Sequence, residues 1–176
     1  MGAVHPLALT PVLALQSYYT SILSVSMPAT IFLASASDQE YAKPLQKTLA
    51  EFGILTETFI VSAHKVPEKV LEYVQRLNAR TDPTVVIAVV GLSNGLAGML
   101  AGNCIHPVIT CPVLQDQADY LTNIHSSLQL PSDVPALTIL NPKNAALAAV
   151  KILASTDASL RQKVEEHIAR VKAGYT

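Results

Sequence analysis

The chain reads as an α/β protein: a three-layer α/β/α sandwich around a parallel, flavodoxin-like sheet of about five strands. Two observations predict this. Short apolar runs rich in β-branched residues recur at about 29–34, 55–61, 84–90, 107–112 and 135–140, and helical patterns fill the gaps between them. The runs lack an inside–outside alternation, so they fit strands buried on both faces, as in a parallel sheet covered by helices.

Each helix carries its own signal. From Gln39 to Phe52, Tyr41, Leu45 and Leu49 fall on one face, and Gly53 stands where a left-handed C-terminal cap belongs. Pro67 suits a first helical position, and Val70, Leu71, Val74 and Leu77 then mark one face of Glu68–Ala79. Asn94–Asn103, Lys143–Ala154 and the more charged Ala158–Val171 complete the set.

With 176 residues the chain has the length of one domain, expected over 29–176. Half the residues are hydrophobic and 14% are charged, which favours a buried subunit interface. The net charge of −1, without a basic stripe or a stacking-aromatic series, argues against nucleic acid as a partner. Cys104 and Cys111 have neither metal-ligand spacing nor a disulfide framework and suit a reducing cytosol as small hydrophobes. Residues 1–28 are expected to be an extension upstream of the domain. They lack the basic residues of a secretory or transit signal, and their apolar run is too short and broken for a membrane span.

The chemistry-bearing residues gather where strands end. In such folds ligands bind at the carboxyl edge of the sheet, near a switch in strand order. After the first strand, Ala34-Ser35-Ala36-Ser37-Asp38 offers two hydroxyls and a carboxylate at a helix mouth. Helix-start N–H groups there attract phosphate, and Asp38 can accept from a sugar diol. A capping box at Ser37-Asp38-Gln39-Glu40 accounts for part of the same pattern with no ligand.

After the second strand comes Val61-Ser62-Ala63-His64-Lys65-Val66-Pro67. An imidazole in that place can pass a proton near neutral pH, and a lysine can hold an anion; a loop histidine satisfied by its surroundings is the plainer account. The third strand runs into Gly91-Leu92-Ser93-Asn94-Gly95, with Ser93 and Asn94 as donors. Gly98 and Gly102, inside the helix that follows, imply close approach of a ligand or another helix. His125 lies in a loop that can return to the site. There is no nucleophile–base triad, acid dyad, zinc motif, P-loop or dinucleotide fingerprint. One histidine, one lysine, serines and a carboxylate suit a phosphorylated sugar-like substrate and a single proton transfer.

These motifs, in this order, resemble the aminoimidazole ribonucleotide carboxylase (PurE) family of purine synthesis. Leu33–Asp38 is similar to its serine–aspartate loop and Val61–Lys65 to its serine-alanine-histidine motif. Gly91–Leu96, Gly102-Asn103, Pro107–Pro112, Ser126–Leu128, Leu130–Ser132 and Pro142–Ala146 resemble the branch that uses free carbon dioxide. The sister mutase branch usually has arginine at the place of Lys65 and histidine at that of Gly95. The resemblance implies reversible carboxylation of 5-aminoimidazole ribonucleotide at C4, with no metal or other cofactor, in a cytoplasmic enzyme without membrane attachment. Alternatives are the N5-carboxyaminoimidazole ribonucleotide mutase and a nucleotide-binding relative without this activity.

Residue by residue, it implies that Ser35, Ser37 and Lys65 handle the phosphate and Asp38 the ribose hydroxyls. His64 would move the proton. Ser62, Ala63 and the loop of Gly91, Ser93, Asn94, Gly95 and Leu96 would line the base and carboxylate pocket. A symmetric octamer is implied, with neighbouring chains completing the Ser126–Ser132 or Asn144 side. The chain departs from the family at Ala34 and Asp133, where glycines are usual, and at Leu92 and Gln129, where arginines are.

Overall fold

The computed structural model describes residues 29–175; the expected extension over 1–28 lies outside them. The expected sandwich is present. Five parallel strands, β1 (Ala29–Leu33), β2 (Thr56–Ile60), β3 (Val85–Gly91), β4 (Val108–Val113) and β5 (Leu137–Thr138), form one sheet in the order β2-β1-β3-β4-β5. A 3-10 turn (Ala36–Asp38) leads into α1 (Gln39–Glu51). The other helices are α2 (Pro67–Asn78), α3 (Gly95–Asn103), α4 (Gln117–Asn123), α5 (His125–Leu128), α6 (Pro142–Leu153) and α7 (Ala158–Ala173).

Side chains alternate across a strand, so each central strand feeds two cores. Ile31, Leu33, Ile87, Val89, Ile109 and Cys111 face α1, α6 and the start of α7 through Leu45, Leu49, Val150, Leu153 and Leu160. Phe32, Val86, Ala88 and Val90 face α2 and α3 through Val70, Val74, Leu77, Leu96 and Leu100. Burial pushes the Cys111 thiol up to about 12, so it behaves as a small hydrophobe. Gly53 takes φ +78° after α1. Its N–H donates to Ala50 O and that of Ile54 to Leu49 O, the paired bonds of a Schellman cap.

Four expectations need correction. β2 is not buried on both faces: Thr56, Thr58 and Ile60 are exposed because the strand sits at the sheet's edge. β5 is shortened to two paired residues, since it meets only β4. The segment after β4, which lacked a helical assignment, forms α4 and α5, with Asp116 capping α4 by accepting from the Asp119 N–H at 2.8 Å. Gly98 and Gly102 face their own chain: a Cβ there would meet Leu130 at 3.5 Å and Val134 at 3.6 Å, which is ordinary contact. That 130–134 segment turns at Asp133 with φ +64°, which explains a glycine as the usual residue there; Asp is among the side chains that tolerate this conformation best.

At the amino end of the sheet, away from the carboxyl-edge loops, Arg80 Nη2 pairs with Glu57 Oε1 on edge strand β2. Arg80 Nη1 lies 3.3 Å from Thr30 Oγ1 on β1, and the Thr30 hydroxyl donates to Glu57 Oε1 at 2.8 Å. The cluster is partly buried, so truncating one partner leaves the others under-satisfied. Arg80→Ala is expected to cost about 1–3 kcal/mol in urea unfolding, and adding Glu57→Gln should cost clearly less than a second independent loss. Strict additivity of the two would show that the pair does not act as a clamp.

Candidate functional site

The sheet order places the carboxyl ends of β2, β1, β3 and β4 side by side, with the change of direction between β1 and β3. A cleft of about 500 Å³ opens there, lined by residues from all four following loops: Ala34, Ser35, Ser37 and Asp38; Ser62, His64 and Lys65; Gly91, Leu92 and Ser93; Val113, Gln115 and Asp119. An apolar groove of about 590 Å³ between α6 and α7 lies elsewhere and gathers none of these groups.

The β1 loop folds on itself. Ser35 is the N-cap of the 3-10 turn, with its Oγ 3.4 Å from the Ser37 N–H and 3.0 Å from the Ser37 hydroxyl; Asp38 Oδ2 accepts from the Ser35 N–H at 2.9 Å. The capping box therefore runs from Ser35 to Asp38, not from Ser37 to Glu40, because the chain enters α1 through this extra turn. Asp38 is buried. Burial pushes its carboxyl up, opposed by the hydrogen bonds from Ser35 and Ser37. A Cβ on Gly91 would stand 3.7 Å from Asp38 Oδ1 and 3.7 Å from the Val113 Cβ, in ordinary contact with both.

The β2 loop closes as a turn in which the Ser62 carbonyl accepts from the Lys65 N–H at 3.2 Å and the Val66 N–H at 2.9 Å. Pro67 then starts α2, as its missing N–H and fixed φ allow. This turn lifts His64 and Lys65 onto the exposed rim. The imidazole lies over Gly95, where a Cβ would fall 2.6 Å from Nε2 and 2.9 Å from Cε1. Glycine at 95 is thus the condition for the ring's position.

Asn94 organises the β3 loop. Its side-chain Nδ2 donates to Thr110 Oγ1 on β4 at 2.6 Å and to Ser127 Oγ at 2.8 Å, while Oδ1 accepts from the Ala97 N–H at 3.2 Å. Its backbone N–H donates to Ser126 Oγ at 3.1 Å. The residue is buried and its amide is committed to the protein, so it shapes the loop from within and does not line the cleft. Leu96 is core, Ala63 packs against the α2–α3 core, and Gly95 lies beneath His64; these three do not line the cleft either.

The cleft brings together Ser35, Ser37, Asp38, Ser62, His64, Lys65, Gly91 and Ser93 from the expected set, and adds Ala34, Leu92, Val113, Gln115 and Asp119. Asp119 is held in place by the Gln115 N–H on Oδ2 at 3.3 Å and by Asn123 Nδ2 on Oδ1 at 3.1 Å. Val113 to Asp119 follow the fourth strand at the same sheet edge, so the rule that singled out the other loops would have reached them. His125 does not line the cleft. Among the described residues no group of three or more His, Cys, Asp or Glu is placed to hold a metal ion. No described helix is long and apolar enough to cross a membrane.

Comparison with known proteins follows the same residues. The family model of AIR carboxylase matches residues 28–173. The phosphoribosylaminoimidazole carboxylase of Archaeoglobus fulgidus is 41% identical over 138 residues, 78% of this chain and 75% of that protein. The N5-carboxyaminoimidazole ribonucleotide mutase of Pyrococcus horikoshii is 33% identical over 144 residues, 81% of each. Against the human bifunctional phosphoribosylaminoimidazole carboxylase/succinocarboxamide synthetase the identity is 36% over 69% of this chain, which spans only 28% of that longer protein. The crystal structure of Treponema denticola PurE superposes with a TM-score of 0.79 at 31% identity, covering 84% of this chain and 93% of that one. With the family model matching nearly the whole described domain and the fold superposing on that of PurE, the chain belongs to the AIR carboxylase family.

Proposed function

We propose that this chain carboxylates 5-aminoimidazole ribonucleotide at C4, reversibly, giving 4-carboxy-5-aminoimidazole ribonucleotide in purine synthesis. The observation that carries the reading is the His64 imidazole seated over Gly95 on the rim of a cleft that also holds Ser35, Ser37, Asp38 and Lys65. Family membership and the carboxylase and mutase names of its relatives point to the same ring chemistry.

Each residue has a role that its chemistry suits. Lys65 and the Ser35 and Ser37 hydroxyls take the phosphate, and Asp38 accepts from the ribose hydroxyls. The aminoimidazole is an electron-rich enamine, so C4 attacks carbon dioxide and forms the new C–C bond. C4 is then tetrahedral and carries both the carboxylate and its hydrogen. His64 removes that proton and the electron pair returns to the ring; in reverse, protonation of C4 by His64 releases carbon dioxide. Backbone N–H groups of the β3 loop stabilise the carboxylate. A cytoplasmic location fits the two free cysteines.

The mutase reading is kept by the Pyrococcus horikoshii relative. Supplying bicarbonate with 5-aminoimidazole ribonucleotide, or the N5-carboxylated nucleotide alone, separates the two: turnover of the second and not the first would replace the carboxylase reading.

His64→Asn should lower turnover by ~100-fold or more, the scale of a general acid–base group. Gly95→Ala should follow it with little loss of thermal stability, since only the far end of the imidazole must move. Misplacement of about 1 Å in a reacting group costs on the order of 100-fold. Near-normal turnover in either variant would remove His64 from the proton transfer.

Lys65→Ala should raise KM by more than it lowers kcat, because it removes a charge-assisted contact worth roughly 1.5–3 kcal/mol. Calorimetric titration with ribose 5-phosphate checks the assignment directly. Equal affinity in wild type, Lys65→Ala and Asp38→Ala would place the sugar phosphate elsewhere.

We also propose a homo-oligomer, an octamer as in the family. Leu55, Ile105, Leu121, Leu128, Leu137 and Val171 are exposed large hydrophobics among the described residues, apolar surface that a partner would cover. Light scattering should give about eight times the 18.8 kDa chain mass; an active species of a single chain would end the proposal.

A further inference from the structure

We infer that Leu92 is a specificity-determining residue: its side chain is the apolar wall at the cleft mouth against which the substrate's flat heterocycle packs. The inference rests on the carboxylase reading above and names what selects the base in that site.

Three observations converge on this residue. Leu92 takes φ +56°, a left-handed conformation in which a leucine is an outlier and glycine or asparagine would sit at ease. It is 73% exposed and belongs to neither buried core cluster, so the fold gains no packing from a leucine there. It lines the cleft beside Ser93 and Gly91.

The strain is held in place from behind. The Ser126 hydroxyl donates to Asn123 O at 2.8 Å and accepts from the Asn94 N–H at 3.1 Å, with the Leu92 carbonyl 3.3 Å away. Asn94 itself is fixed to Thr110 and Ser127. A turn so over-determined keeps an unfavourable residue in one pose, and such poses persist where function uses them.

The rest of the lining says what the side chain meets. Ser35, Ser37, Asp38, Lys65, Gln115 and Asp119 are polar, and Lys65 is the one lysine or arginine among the lining residues. They suit the phosphate and the sugar. A neutral aromatic ring needs an apolar face, and Leu92 offers the largest apolar side chain on the wall, with Ala34 and Val113 as the smaller ones. The ligand class is therefore a ribonucleoside monophosphate with a small uncharged ring, held by one cation and one apolar wall.

Two variants separate side-chain chemistry from loop geometry. L92N tolerates positive φ and removes the apolar surface; L92M keeps an apolar side chain of similar volume. Steady-state kinetics with 5-aminoimidazole ribonucleotide and bicarbonate should show L92N raising KM about fivefold or more, by a larger factor than it lowers kcat, below the loss expected for a fully enclosed apolar contact. L92M should stay near wild type, and both should scatter light as the wild type does. An unmoved KM in L92N overturns the inference, as does an L92M as impaired as L92N. A changed assembly mass in L92N also overturns it, by making Leu92 an interface residue. A wild type that turns the substrate over while L92N matches it defeats this inference alone. A wild type that neither binds the nucleotide by calorimetry nor carboxylates it defeats the carboxylase reading and this inference together.

Discussion

The buried amide of Asn94 is the interaction on which the site depends. A side-chain amide taken out of water must find partners for its donors and acceptor or cost several kilocalories. Here it finds Thr110 on β4, Ser127 on α5 and the first turn of α3. Two of these partners lie well along the chain, Thr110 on β4 and Ser127 on α5, so those bonds form only when β3, β4 and α5 are correctly placed. In return the amide fixes where the β3 loop leaves the sheet. That placement puts Gly95 under His64 and turns Leu92 into the cleft. A low-dielectric hydrogen-bond cluster of this kind acts as a unit, and its loss would be felt at residues that never touch it.

The second constraint is space. Gly95 beneath His64 leaves room that a side chain would take, and Gly91 stands in ordinary contact range of Asp38. The carboxylate and the imidazole come from the loops of β1 and β2, while both glycines come from the end of β3 and the loop beyond it. The switch in strand order between β1 and β3 makes these loops neighbours. Chemistry is therefore shared between one pair of loops that carries the groups and one that yields room for them.

Much of this was legible in the sequence, for physical reasons that differ by element. Strands β1, β3 and β4 are buried on both faces, so their residues are apolar without alternation and cannot be mistaken for surface. Pro67 and Gly53 mark helix ends by backbone chemistry alone. The edge strand β2 was read as if it were central, because Phe59 and Ile60 are apolar while their exposure depends on strand order. Asn94 looked like a ligand donor; only the fold reveals that Thr110, Ser126 and Ser127 occupy its hydrogen-bonding groups. The capping box moved by two residues since Ser35 and Ser37 both satisfy the pattern, and the 3-10 turn that chooses between them is a local packing result. Gln115 and Asp119 carry no site signal in the sequence because they precede and enter a helix without apolar periodicity strong enough to announce it.

The same cleft gives a physical reason to link the proposed assembly to the proposed chemistry. Ser35, Ser37, His64, Lys65, Leu92 and Ser93 are all exposed on the isolated chain. A lysine in open water holds a phosphate weakly, because solvent screens the charge and competes for its donors. Proton abstraction from carbon likewise gains from a site that excludes water and fixes the ring against the base. One chain shapes the cleft from behind, through the Asn94 cluster and Gly95, but leaves its rim uncovered. The chain also exposes Leu121 and Leu128 on α4 and α5, the elements that border the cleft on the Asp119 side. A neighbour seated on that apolar border would bury it and close the rim in one step. In the proposed assembly, the hydrophobic surface exposed on the lone chain would be what completes the site.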